Sequence, residues 1–164
     1  METTSQERTW AAIAHASTLV TLLFGVLSGG LGGIIFILVP MVIYLSFRDH
    51  SRFVAYHAAQ AFALQLAATV GWLVAAFVGL LALILLWTMT GILSVILVGI
   101  LLIPVMLLVT LAYVAAVLVA PFVFSGYAIV GTVETSDGND YSYPWIGDYV
   151  RSWMERRSRP IAAA

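Results

Sequence analysis

The sequence predicts an all-α membrane protein: a four-helix transmembrane bundle with a long, Pro-interrupted fourth segment, closed by a C-terminal amphipathic helix lying in the membrane interface. Three observations predict it. The 164-residue chain is 62% hydrophobic and only 9% charged, and its mean hydropathy of +1.04 is far above that of a soluble domain. From Phe53 to Val133 there is no Asp, Glu, Lys or Arg. The arginines sit only before, between or after long apolar stretches, as loop arginines of a polytopic protein do.

Residues 1–9, METTSQERT, form a polar tail of mixed sign. No small-residue cleavage pattern follows it, so a cleaved signal peptide is not expected. The bundle is expected over residues 10–131. Its first span runs from Trp10 to about Ser28 and its second from Gly33 to Phe47, which is short against the roughly 20 residues a crossing needs. GGLGG (Gly29 to Gly33) joins them into a helical hairpin, because glycine accepts the positive φ of a sharp turn. Gly25, Gly29 and Gly33 also recur every fourth residue, a spacing that permits close helix contact in lipid.

The charge-free run would make about 120 Å of helix, enough for two generous crossings or three tight ones. Charge decides between them. Arg8 precedes the first span, Arg48 and Arg52 occupy the internal loop, and Arg151, Arg156, Arg157 and Arg159 follow the last span. Arginines favour the cytoplasmic side, so the number of spans should be even. The third span is placed at about Phe53 to Leu86 and the fourth ends near Gly131, with a break at TMTG (Thr88 to Gly91). Pro104 and Pro121 kink the fourth segment or leave Ile92 to Ile103 only partly inserted. Five spans with an external C-terminus is the alternative topology.

Residues 132–144 read as an acidic turn, and residues 145–164 as an amphipathic helix with a tail. Trp145, Ile146, Tyr149, Val150, Trp153 and Met154 recur on one side, with Asp148, Arg151, Glu155 and Arg159 on the other. Trp145, Tyr149 and Trp153 suit the headgroup layer as interfacial anchors. Packing against a partner protein is the competing reading.

Composition also excludes function classes. A net charge of −1 provides no broad basic footprint for nucleic acid. Without cysteine there is no disulfide, thiol nucleophile or Cys-based zinc site. No HExxH, phosphate loop or nucleophile with its base is present, so no enzyme is expected and no catalytic or metal-binding residue is assigned. The spans contain no carboxylate of the kind used in proton or sodium coupling.

RDHSRFVAYHAAQAF (Arg48 to Phe62) is the polar exception. Its arginines fix orientation. His57, Gln60 and Gln65, with His15 of the first span, form a polar patch at the cytoplasmic end, read either as interhelical hydrogen bonding or as a ligand site. No cofactor is expected, although His15 and His57 flanked by alanines would suit axial ligation of a haem or chlorophyll-type pigment.

The series WAAIAH, the glycine turn, ILVPMVIYL and RDHSRFVAYHAAQAFALQ, with the closing NDYSYP, resembles a family of uncharacterised small bacterial and archaeal membrane proteins. That family is distantly similar to the four-helix Tic subunit of the chloroplast inner-envelope protein translocon. His15, Phe53, His57, Ala61 and Gln65 match its pattern, whereas Ala63 replaces an asparagine and the stretch from Gln65 to Gly126 is longer. The resemblance implies a helical bundle serving as a subunit of a translocation assembly.

The expected protein is therefore a multi-pass component of the cell (inner or cytoplasmic) membrane with both termini cytoplasmic. Its partners are the lipid bilayer and other membrane subunits, with self-association open and no nucleic acid. It is a non-enzymatic subunit or auxiliary factor for protein or solute translocation. The alternatives are an accessory or cofactor-bearing subunit of an electron-transfer or light-harvesting complex, and a stand-alone carrier.

Overall fold

Thr4 opens the first helix by a reciprocal exchange: its hydroxyl accepts from the Glu7 amide at 3.2 Å, and the Glu7 carboxylate accepts from the Thr4 amide at 2.8 Å. This capping box satisfies amides that have no partner inside the helix. The structure, a computed structural model, describes residues 3–28 and 33–158. Among them are five α-helices: α1 (Ser5–Leu27), α2 (Leu38–Phe47), α3 (Arg52–Ser94), α4 (Val98–Ser136) and α5 (Ile146–Ser158), with a 3-10 turn at Ile34–Ile37 before α2. Most of the glycine turn and Arg159 lie outside the described residues.

The chain divides into two units. One comprises residues up to Ala67 with those from Phe124 onward, and the other is Ala68–Val123.

In the first unit, Ala14, Ile43, Val54, Ala58 and Ala61 form a buried core against which Val39, Tyr44, Phe47 and Phe53 pack. The alanines let α1 and α3 approach closely, as small residues do where helices meet in lipid. A Cβ on Gly33 would lie 3.1 Å from the Gly25 Cα, so these two glycines do allow backbone to meet backbone. Ser51 caps α3 by accepting the Val54 amide at 3.3 Å, while its hydroxyl donates to Glu7 Oε1 at 2.6 Å. That pair ties the start of α3 to the start of α1.

The second unit is an antiparallel hairpin built from the later part of α3 and the earlier part of α4. Trp72 Nε1 donates to the Val117 carbonyl at 2.8 Å and Trp87 Nε1 to Thr110 Oγ1 at 3.0 Å. The Tyr113 hydroxyl donates to the Ala76 carbonyl, and Gly79 leaves room for its ring. The outer surface is apolar: Phe77, Leu85, Leu101, Leu108, Leu111, Leu118 and Phe122 are all exposed. A water-soluble monomer does not carry an apolar surface this extensive, whereas a membrane hairpin must.

The four-span expectation is corrected here. Among the described residues, two helices are long and apolar enough to cross a membrane, α3 and α4. The expected second span is only ten helical residues in α2, extended to Ile34–Phe47 by the 3-10 turn. The expected first span, α1, begins with polar residues and turns His15, Ser17, Thr18 and Thr21 inward, where they bond other side chains or its own backbone. The break in the apolar run also moves. Thr88 and Thr90 return their hydroxyls to the carbonyls of Ile84 and Leu86 and stay helical, so α3 continues to Ser94. The turn is Val95 to Leu97, with Leu97 at φ 65°, and Gly99 supplies the space in which the chain passes the Thr90 to Ser94 backbone. Helix α4 runs through both Pro104 and Pro121 without a break.

Candidate functional site

The site is assembled in the first unit from α1, the first turns of α3, the loop 137–145 and α5. His15 lies on the face of α1 directed at α3, and His57 lies on the second turn of α3. Both are fully buried, as is Gln60. His15 Nε2 is 3.3 Å from His57 Nδ1, and His15 Nδ1 is 2.7 Å from the Tyr143 hydroxyl. His57 Nε2 is buried without a hydrogen bond and faces Asp140 Oδ1 at 3.7 Å.

Proton positions follow from this order. Asp140 is an exposed carboxylate and only accepts, so the His57 N–H belongs on Nε2. His57 Nδ1 then accepts from His15 Nε2–H, and His15 Nδ1 accepts from the Tyr143 hydroxyl. The opposite assignment would aim an imidazole lone pair at the carboxylate. Burial, with His57 adding in the same direction, pushes His15 down to about 3, so the ring is neutral. Burial pushes the Tyr143 hydroxyl well above the usual phenol range, so it keeps the proton it donates. The result is a one-way hydrogen-bonded row from a buried tyrosine toward a surface carboxylate.

Gln60 holds the loop in place. Its Oε1 accepts from the Tyr143 amide at 2.9 Å and its Nε2 donates to the Tyr141 carbonyl at 3.1 Å, the pairing a neighbouring strand would make. Behind the histidines, Gly131 of α4 is closed in: a Cβ there would meet the His15 ring and the Tyr143 hydroxyl, each at 3.1 Å. Outside them, Arg151 of α5 donates to the Tyr56 hydroxyl at 3.2 Å and to Asp140 Oδ2 at 3.4 Å. The Tyr56 hydrogen bond, together with Asp140, raises the Arg151 guanidinium further above its ordinary range.

His15, His57 and Gln60 come together around Tyr143. Gln65 makes a separate clasp, donating to Ser17 Oγ at 2.8 Å and Thr18 Oγ1 at 3.1 Å while accepting from Thr21 at 2.9 Å. Arg151 joins the site and Arg52 lines the same cleft as Tyr56, Asp140 and Arg151, whereas Arg48 and Arg157 line a different groove and Arg156 is exposed. Trp145 and Tyr149 are exposed, and Trp153 packs against Tyr44 in a tilted arrangement with 5.8 Å between ring centroids. Tyr143, Tyr56 and Asp140 were missed. The signal that could have found them is NDYSYP, where two tyrosines alternate within an otherwise polar loop and buried tyrosines require hydrogen-bond partners. The imidazoles bond each other directly and therefore do not flank a haem or pigment ring. Among the described residues no group of three or more His, Cys, Asp or Glu side chains could hold a metal ion.

A family model described as the magnetosome magnetite crystal formation protein family, MamF/MmsF, matches residues 6–150. The chain belongs to this family. No curated protein and no solved structure matches it. The MamF/MmsF match replaces the likeness to the Tic translocon subunit. The letters that suggested the likeness, around His15, His57, Gln65 and Tyr143, are those that hydrogen-bond α1, α3 and the loop together. They describe how a small bundle is closed, and carry no information on translocation. As a MamF/MmsF protein, the chain is a largely helical membrane protein.

Proposed function

We propose that the chain serves magnetite crystal formation as a non-catalytic membrane component. The α3–α4 hairpin holds it in the bilayer, and its charged unit meets other membrane subunits on the cytoplasmic side. The observation that carries this reading is the extent of the family match, which takes in the buried histidine row as well as both apolar helices. Orientation follows from charge. Two crossings return the chain to the side it left, and every described arginine lies before Phe53 or after Val133. The cytoplasmic preference of arginine then applies to one side only.

The test is removal of the gene from a magnetite-forming host, with crystal number, size and shape measured by electron microscopy. Crystals altered by the loss and restored by the intact chain support the reading. Crystals indistinguishable from those of the parent would remove it.

A further inference from the structure

A groove of about 410 Å³ lies between α2, α3 and α5, within the size range of small-ligand sites. Its floor is apolar, made by Leu45, Ala59, Phe62 and Ala63. Arg48 and Arg157 also line it. Arg48 follows the last residue of α2, at the turn into α3. Helix α5 runs back along α3 toward that turn, since Gly147 lies against Gln60 and Arg151 against Tyr56. Arg157, in the last turn of α5, therefore arrives beside Arg48. The Arg157 guanidinium stacks over the Trp153 ring at 4.9 Å, and Arg48 touches Asp49 only through Nε, at 3.3 Å. An apolar channel with two guanidinium groups at one end matches an acyl chain attached to a phosphate, because guanidinium binds phosphate oxygens bidentately.

We propose that this groove is a binding site for one anionic phospholipid, whose phosphate lies between Arg48 and Arg157 and whose acyl chain lies along Leu45, Ala59 and Ala63. The site requires only that the chain be embedded in a membrane, so it stands or falls independently of the role in crystal formation.

The full chain, purified in mild nonionic detergent, is mixed with equal amounts of phosphatidylglycerol and phosphatidylcholine of matched acyl chains, and the retained lipid is counted by native mass spectrometry. Each basic residue near an anionic headgroup contributes about a fivefold preference, so one phosphatidylglycerol should be retained over phosphatidylcholine by about 25-fold. Replacing Arg48 and Arg157 together by glutamine should bring the ratio near one, and replacing both by lysine should keep only part of it, because the charge stays while the bidentate contact is lost. Arg156→Gln, outside the groove, should leave the ratio unchanged. Ala59→Leu keeps every arginine but fills the floor, and should lower retention of phosphatidylglycerol several-fold. Equal retention of the two lipids by the unaltered chain overturns the proposal, as does unchanged retention by Ala59→Leu. A loss on Arg156→Gln as large as that of the double variant would mean diffuse surface attraction, and overturns it equally.

Discussion

The Tyr143 hydroxyl donates to Nδ1 of His15 across 2.7 Å, joining two residues 128 positions apart in the chain. The bond sets the protonation of both histidines, because a His15 that accepts at Nδ1 must donate at Nε2, and His57 must then carry its proton on Nε2, the nitrogen that faces Asp140 without a hydrogen bond. Tyr143→Phe keeps the ring and removes this donor. It leaves a buried imidazole nitrogen unsatisfied, which costs about 1–3 kcal/mol. Thermal unfolding in detergent should show that loss, and a stability equal to that of the parent chain would mean that His15 does not depend on the hydroxyl.

Gln60 makes a different prediction, because it restrains the loop backbone and not the imidazoles. Gln60→Leu leaves the Tyr143 amide and the Tyr141 carbonyl without partners. Hydrogen exchange at the Tyr143 amide should accelerate by about tenfold or more, in line with the loss of one buried hydrogen bond. Gln65→Leu loosens α1 from α3 instead and should spare that amide. Equal acceleration in both variants would show that the two glutamines act through one cooperative unit.

Two glycines of α4 provide a matched pair. At Gly131 an added Cβ meets the His15 ring and the Tyr143 hydroxyl, whereas at Gly126 it meets nothing within 4 Å. Gly131→Ala should destabilise by about 1–3 kcal/mol through overpacking. Gly126→Ala should be neutral or stabilise by about 0.5–1 kcal/mol, the helix preference of alanine over glycine. If both substitutions shift the unfolding midpoint alike, α4 does not close the site.

Topology can be read cleanly because the chain has no cysteine of its own. Ile96→Cys places a thiol in the exposed turn between α3 and α4, and Asp148→Cys places one on the exposed side of α5. Two crossings put these positions on opposite sides of the membrane. A membrane-impermeant maleimide added outside intact cells should label the Ile96 variant and spare the Asp148 variant. Labelling of both from the same side would contradict an α3–α4 membrane hairpin.

The two long apolar helices were legible because a charged residue in lipid is costly and none occurs from Phe53 to Val133. The turn between them was not, because Val95, Ile96 and Leu97 have no turn chemistry, and the letters that suggested a turn, Thr88 to Gly91, are satisfied within the helix. The number of spans was overestimated because apolar content does not reveal where polar side chains point. His15, Ser17, Thr18 and Thr21 interrupt α1 only mildly in composition, yet they bind it through Gln65 and His57 to α3. His15, His57 and Gln60 stood out as polar groups within apolar sequence. Tyr143 and Asp140 did not, because nothing in the spacing of a distant loop shows that it folds back onto two helices.

Glu7 supplies the pH dependence. Its carboxylate accepts from the Ser51 hydroxyl, from the Thr4 amide and from the Thr4 hydroxyl, and these bonds lower its pKa below the ordinary 4.5, with Ser51 the largest contributor. A carboxylate with a depressed folded pKa contributes stability above its unfolded pKa and loses it as pH falls through the folded value. The link from α1 to the start of α3 should therefore hold through the ordinary glutamate range and release only as pH falls below it. A carbon-detected NMR titration of the Glu7 carboxyl should give a midpoint under 4.5, and Ser51→Ala should move it upward. Amide exchange at Val54, whose N–H is held by Ser51, should rise over the same pH interval in the parent chain. A midpoint at or above 4.5 would mean that Glu7 is solvated and that the helix starts are held together by the buried core alone.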